Sequence, residues 1–355
     1  MKPPALARLS HPSFRSSSTP RLLPSSPGIT LPPRNHPPSC SLLSTYPLSR
    51  SPLSTARLIA QHALWQHDLR FLLHPTIQSS LSLPTLSPTS PPHNTTSPTT
   101  PLRIHDLATG TALWPLSLLQ SLTPPSTSPA HHDPPPQPPS APPITITASD
   151  ISLLQTPHPS FLPPALETAE WDIYSPAGVP PHWVSAFDII HIRLALLVVQ
   201  GGEAGAREVV RRGYSMLRPG GWMQWDELDV EGAGVLNGAH PTTEAERAEK
   251  ARFLRMQELA SLEHLRWVRR LPGLFGEVGF GEVGRESVEG ERSSAGLLQM
   301  LQFLVMQEEM EGFEMAGKEE GERVRGDIEW GRRMVAERGW VRYVPKVVVV
   351  GRKPG

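Results

Sequence analysis

Three carboxylates follow three successive apolar segments in the middle of the chain. Asp106 opens the turn Asp106-Leu107-Ala108-Thr109-Gly110-Thr111-Ala112, Asp150 closes a β-branched segment at residues 144–151, and Asp172 stands within residues 170–174. A glycine-bearing turn between a first strand and a helix lets a ligand come close to the backbone. A carboxylate ending a second strand can accept both hydroxyls of a ribose, and one after a third strand can accept from the amino group of adenine. Taken singly, the three acids also fit a turn residue, a helix cap and a surface acid. Taken in series they mark one ligand edge, and Asp106, Ala108, Gly110, Asp150, Ile151, Asp172 and Ile173 are the expected cofactor-binding residues.

Proton chemistry at that edge has few candidates. His191 is the tempting one, because histidine is the usual general base near neutral pH, and it equally suits a packed strand histidine. Glu227 and Asp229 lie where a fifth strand would end, a place that also suits solvated acids. Trp222, Trp225 and a methionine-bearing segment (Met300, Met306, Met310) suit an apolar acceptor pocket or plain core packing. No metal site is expected.

Positioning these residues requires an alternation of strands and helices. Strands are expected at residues 102–107, 144–151, 170–174, 187–196 and 222–228, with helices at 111–122 and 203–217. Leu217-Arg218-Pro219-Gly220-Gly221 provides a stop and a turn. Such alternation implies a doubly wound α/β fold with a mainly parallel sheet. Ligands of open α/β sheets bind beyond the carboxyl ends of the strands. Downstream, helices are expected at 243–270, 293–315 and 319–338, capping the ligand edge, and a buried strand at 341–351. Upstream, residues 55–73 have apolar spacing near three and four, with Thr55 as the cap.

In combination these motifs resemble one known family, the fungal LaeA-like or UMTA-like methyltransferases. The family pattern Asp-x-Gly-Thr-Gly-x-Gly-x-Trp corresponds to Asp106 to Trp114, with alanine at two of its three glycines. Asp150-Ile151-Ser152-Leu153-Leu154-Gln155 with Pro163-Pro164, Trp171-Asp172, and Phe187-Asp188-Ile189-Ile190-His191-Ile192-Arg193 match its later motifs. So do residues 217–227, 279–283 and 351–354, and the leading residues Arg57-Leu58 and Gln61-His62. The resemblance spans about residues 57–354. It implies a seven-stranded, Rossmann-like class I fold, S-adenosyl-L-methionine as cofactor, and methyl transfer to a small-molecule acceptor of secondary metabolism. His191 and Glu227 are then the candidate catalytic bases, since the protein must supply one only where the acceptor has a proton to lose. The alternative is a non-catalytic, regulatory LaeA-like protein, with a protein partner. Ala108 and Ala112 replace two of the three family glycines. If Ala108 needs positive φ, its strain is about 1–2 kcal/mol. Ala108 adds a methyl at the closest approach of backbone to cofactor, so Ala108→Gly is expected to tighten ligand binding, and to lower stability by about 0.4–1 kcal/mol where alanine fits well.

Composition divides the chain. Residues 1–165 hold 34 of the 42 prolines, with 9 basic and 4 acidic residues, while the remainder holds 24 and 30. The near-neutral total therefore conceals two different polymers. Residues 1–54 are expected as a disordered Ser/Pro-rich tail. Residues 55–101 are expected as a leading helix and Pro/Ser/Thr linker, and 102–355 as the methyltransferase domain with a Pro-rich surface insertion at 124–143. Arginine and serine without acids also resemble a mitochondrial transit peptide, but the early prolines break the helix it needs. The lone Cys40 forms no intramolecular disulfide and fits a reducing compartment. No apolar run reaches membrane-span length and no charge excess favours nucleic acid, so neither partner is expected. The expected location is cytoplasmic, or nuclear for a regulatory protein.

Overall fold

The computed structural model of the protein describes residues 48–83, 101–122, 144–236, 241–256, 265–316 and 318–355. These described residues belong to one compact unit. The insertion expected at 124–143 lies outside the described residues, as do residues 1–47 of the expected tail.

Strands β1 (Leu102–Leu107), β2 (Ile144–Asp150), β3 (Leu166–Glu170), β4 (Phe187–Arg193) and β5 (Leu217–Leu228) are parallel neighbours in the order β3-β2-β1-β4-β5. Beyond β5 lie β9 (Lys346–Arg352) and then the edge strand β7 (Gly281–Val288), with β9 antiparallel to both. A two-stranded ribbon pairs β6 (Gly234–Leu236) with β8 (Val341–Tyr343).

Strand alternation sends side chains to two cores. On one face Ile190, Ile192, Met223, Trp225, Val347 and Val349 pack under α4 (Glu203–Met216) and α6 (Trp267–Val278). On the other, Ile104, Ile189, Trp222, Val348 and Val350 pack under α1 (Pro52–Leu69) and α3 (Leu113–Leu122). Trp225 and Trp222 are therefore core residues on opposite faces. Helices α5 (Glu244–Arg255), α7 (Arg292–Ala316) and α8 (Lys318–Arg338) share smaller clusters, in which Met306 packs with Phe303 and Val324, while Met300 is exposed. The side chain of Met310 lies outside the described residues.

Several boundaries differ from expectation. The leading helix begins at Pro52, with Ser51 rather than Thr55 accepting from the Ser54 amide, and it ends at Arg70 in left-handed conformation. The expected tail thus stops short of residue 54, where Leu48 and Ser54 are already buried. Beyond α1 the chain stays structured: α2 (Pro75–Ser80) follows, Leu72, Leu73, Ile77 and Leu83 join the α1 core, and the linker expected at 79–101 therefore begins as packed structure over 79–83. Strand β3 precedes residues 170–174 because its register with β2, from Ile146↔Leu166 to Asp150↔Glu170, is complete by Glu170. The helix expected over 243–270 is divided into α5 and α6, with 257–264 outside the described residues. Helix α6 runs through Pro272 because Trp267, Val268, Leu271, Leu274 and Phe275 form one buried stripe, until Gly279 caps it at φ 112°. The expected terminal strand is likewise two, β8 and β9, in different sheets.

Candidate functional site

The turn after β1 has an unusual backbone. Ala108, Gly110 and Ala112 have φ of 52°, 56° and 55°, so all three family glycine positions adopt the left-handed conformation. Its hydrogen bonds enforce this. The Thr109 amide donates to the Ser149 carbonyl at 3.0 Å, and the Ala112 amide to the Thr109 carbonyl at 3.0 Å. The Thr109 hydroxyl donates to Asp106 Oδ2 at 2.6 Å.

Asp150 ends β2 directly beside this turn. Its Oδ2 accepts from the Gly110 amide at 2.9 Å and its Oδ1 from the Ser152 amide at 3.2 Å. Burial pushes the Asp150 carboxyl above its ordinary value, and the two amides offset this only in part. Ile151 follows and is partly exposed. Asp172 lies two residues beyond β3, where its Oδ1 accepts from the Tyr174 amide at 2.8 Å. The side chain of Ile173 points into the core instead. Helix α1 lies over the turn: Leu58 Cδ1 is 3.5 Å from where a Cβ on Gly110 would stand, and Thr55 accepts from Gln155 Nε2 at 3.3 Å.

His191 is fully buried. It pairs with Asp106 in the β1–β4 register. Its Nδ1 lies 2.6 Å from Asp106 Oδ1 and its Nε2 3.3 Å from Asp226 Oδ2. Trp114 stacks on the ring at 3.6 Å and 3°. Asp226 Oδ2 also accepts from Arg193 Nε and Nη2 at 2.9 and 2.6 Å. Nearby on α1, His62 bonds Ser117, and its pKa is pushed down to about 4, by burial first and then by Arg193 and His191.

Sequence reasoning passed over Asp226, Arg193, Gln224 and Trp114 as functional residues. Strand parity carries the signal for the first three. His191 is opposite Gln224, and Arg193 opposite Asp226, so these four side chains share the α1–α3 face with Asp106. Glu227 has the other parity, beside Trp225. It is fully buried, accepts from the Leu228 amide at 3.0 Å and lies 3.4 Å from the Trp225 indole nitrogen. Asp229 is engaged structurally, accepting from Arg269 and from the Gly232 amide. The structure therefore unites Asp106, Ala108, Gly110, Asp150 and His191, and sets Glu227 and Asp229 apart.

The positive φ at Ala108 reverses one expectation. Relief of left-handed strain, about 1–2 kcal/mol, exceeds the unfolded-state entropy of glycine, about 0.4–1 kcal/mol. Ala108→Gly is thus expected to raise stability by roughly 1 kcal/mol in chemical denaturation. Ala112→Gly should gain less, since it also removes a fully buried methyl group. A lower midpoint for Ala108→Gly would show that the turn relaxes to negative φ in solution.

The strand order, with β9 antiparallel beside β5, is that of the class I methyltransferase fold. The cofactor of that class is S-adenosylmethionine. No family model matches the chain. A curated relative, "Methyltransferase grgD" from Penicillium sp., is 32% identical over 150 residues, 42% of this chain and 46% of that protein. The match thus spans less than half of that relative's length. Among solved structures, Haemonchus contortus phosphoethanolamine N-methyltransferase 2 in complex with S-adenosyl-L-methionine is 12% identical, covering 72% of this chain and 49% of that one, with a TM-score of 0.37. The cyclopropane synthase MmaA2 from Mycobacterium tuberculosis is 14% identical, covering 78% and 83%, with a TM-score of 0.38. Among the described residues, no helix is long and apolar enough to cross a membrane.

Proposed function

We propose that the protein transfers a methyl group from S-adenosylmethionine to a small-molecule acceptor, as a LaeA-like enzyme of secondary metabolism. The observation that carries this reading is the succession of Asp106, Asp150 and Asp172 at or just beyond the carboxyl ends of β1, β2 and β3, with the first two bonded to a left-handed turn. The donors of the cofactor suit these acceptors. Asp106 with the Ala108–Gly110 backbone would hold its aminoacyl end, Asp150 its ribose hydroxyls, and Asp172 its adenine amine, with Ile151 and the Ile173 backbone flanking the ring. Bound there, the cofactor supplies an electrophilic methyl on a sulfonium, so the protein contributes mainly alignment. His191 and Glu227 are fully enclosed, and in this proposal neither removes a proton from the acceptor.

The test is calorimetric titration with S-adenosylhomocysteine. Wild type should bind, and Asp150→Ala should weaken binding by about 1.5–3 kcal/mol, the range for a lost charged hydrogen bond. An unchanged dissociation constant in that variant removes Asp150 from the site. A second reading, a regulatory protein that keeps the fold without turnover, is favoured by the alanines at positive φ. It predicts that wild type does not bind and that the Ala108→Gly/Ala112→Gly variant does.

A further inference from the structure

The polar residues beneath α1 and α3 form a continuous chain that ends on the cofactor turn. Both oxygens of Asp106 are engaged from within the protein, Oδ2 by Thr109 and Oδ1 by His191 at 2.6 Å each. Both ring nitrogens of His191 face carboxylates, at 2.6 and 3.3 Å. Carboxylates only accept, so this arrangement suits an imidazolium donating from both nitrogens. Two carboxylates, Asp106 and Asp226, are then balanced by two cations, His191 and Arg193.

Each further member is fastened in turn. Burial alone would raise the Asp226 carboxyl, but Arg193 and His191 hold it below the usual carboxylate range. Asp226 Oδ1 accepts from Gln224 Nε2 at 2.9 Å. Gln224 Nε2 also donates to the Leu72 carbonyl at 3.0 Å, and Gln224 Oε1 accepts from the His74 amide at 2.8 Å. The indole of Trp114, stacked on the ring, donates to the same Leu72 carbonyl at 3.3 Å. The imidazole is thus held at both nitrogens and against one face.

Buried ion pairs contribute little net stability, because desolvation offsets their attraction. A network of this kind that terminates on a ligand-edge carboxylate is better explained by orientation. We infer that His191 is a positioning residue: supported by Asp226, it aims the Asp106 carboxylate at the aminoacyl end of the cofactor. The inference rests on the cofactor assignment proposed above.

Asparagine and glutamine separate this role from packing. The amide nitrogen of asparagine reaches the place of the imidazole Nδ1, while that of glutamine reaches the place of Nε2. His191→Asn therefore keeps a donor to Asp106, and His191→Gln keeps one only toward Asp226. In titrations with S-adenosylhomocysteine, His191→Gln and His191→Ala should bind about tenfold more weakly or worse, and His191→Asn within about threefold of wild type. Asp226→Asn, which touches neither Asp106 nor the cofactor position, should weaken binding in the same direction. Thermal unfolding of the same samples reports packing, and glutamine, nearer histidine in volume, should be the more stable of the two amide variants. Affinity that follows this stability order instead of donor position overturns the inference. Nitrogen-15 spectra of the wild-type ring supply an independent reading that needs no variant to fold: protons on both nitrogens are expected, and a singly protonated ring overturns it. If wild type binds and every His191 variant binds equally, this inference alone fails. If wild type does not bind, the His191 series is read in the Ala108→Gly/Ala112→Gly background, and the cofactor assignment fails with this inference when that variant does not bind either.

Discussion

Replacing Arg57 by methionine is expected to lower the unfolding free energy by about 3–5 kcal/mol, the cost of stranding a buried charge. Arg57 on α1 and Glu308 on α7 are enclosed together, with side-chain exposures of 4% and 0%. Arg57 Nε donates to Glu308 Oε1 at 2.7 Å and Nη2 to Oε2 at 3.3 Å, and the Ser54 hydroxyl donates to Oε2 at 2.8 Å. The remaining Nη1 donates to Gln61 at 2.7 Å. Urea denaturation of Arg57→Met should show the loss. Adding Glu308→Leu should recover most of it, because an apolar pair of similar volume carries no desolvation cost. The pair also pins the N-terminal part of α1, where Leu58 meets Gly110 of the cofactor turn and Thr55 meets Gln155 after β2. Arg57→Met should therefore weaken S-adenosylhomocysteine binding as well. A loss below about 1 kcal/mol would show that water reaches the pair in solution.

Local chemistry and long-range packing were unequally legible in the sequence. Strands β2 and β4 and the acids Asp106 and Asp150 are legible because Ile144–Asp150 and Phe187–Arg193 are rich in β-branched residues, whereas β3, Leu166–Glu170, carries one such residue and is set by its pairing with β2. Asp106, Asp150 and Asp172 then fell at the carboxyl edge whatever the exact boundaries. The edge strand β7 was missed because Gly281–Val288 is largely exposed and has little apolar alternation; its pairing with β9 defines it. Helix α6 runs past the expected end at residue 270 because burial of the stripe on both sides of Pro272 outweighs the proline's local disruption. In the site, Glu227 drew attention as a strand-end acid, and its neighbour Asp226 did not. The difference between them is parity: one register position decides whether a β5 side chain faces His191 or the opposite core. That register follows from pairing with β4, a contact between segments distant in sequence. The strain at Ala108 is a similar case, since the substitution is visible in the sequence but the sign of φ is set by the bonds from Thr109 and Ala112.

Glu227→Gln is expected to change the pH dependence of stability more than any other substitution at the sheet edge. Glu227 is fully enclosed, and burial pushes its pKa from 4.5 up to about 8. The Leu228 amide, the Trp225 indole and the Ala195 amide pull it back only partly, and neighbouring Asp226 adds to the rise. The folded protein therefore keeps a proton that the unfolded chain releases between about pH 4.5 and pH 8. Where the native state binds more protons than the unfolded state, stability falls as pH rises. Wild type should accordingly lose stability across that window, and none of this loss should occur below it. Glutamine keeps an oxygen for the Leu228 amide and cannot ionise. Its side-chain nitrogen replaces the acceptor near Trp225, where the contact is long at 3.4 Å, so a small constant penalty is expected at every pH. The stability of Glu227→Gln relative to wild type should rise by about 3 kcal/mol between pH 5 and pH 8, from roughly 1.4 kcal/mol per pKa unit. Denaturant unfolding at both pH values measures it directly. Parallel stability curves for the two proteins would mean that the carboxyl is already ionised in the native state, with water or a cation reaching the end of β5.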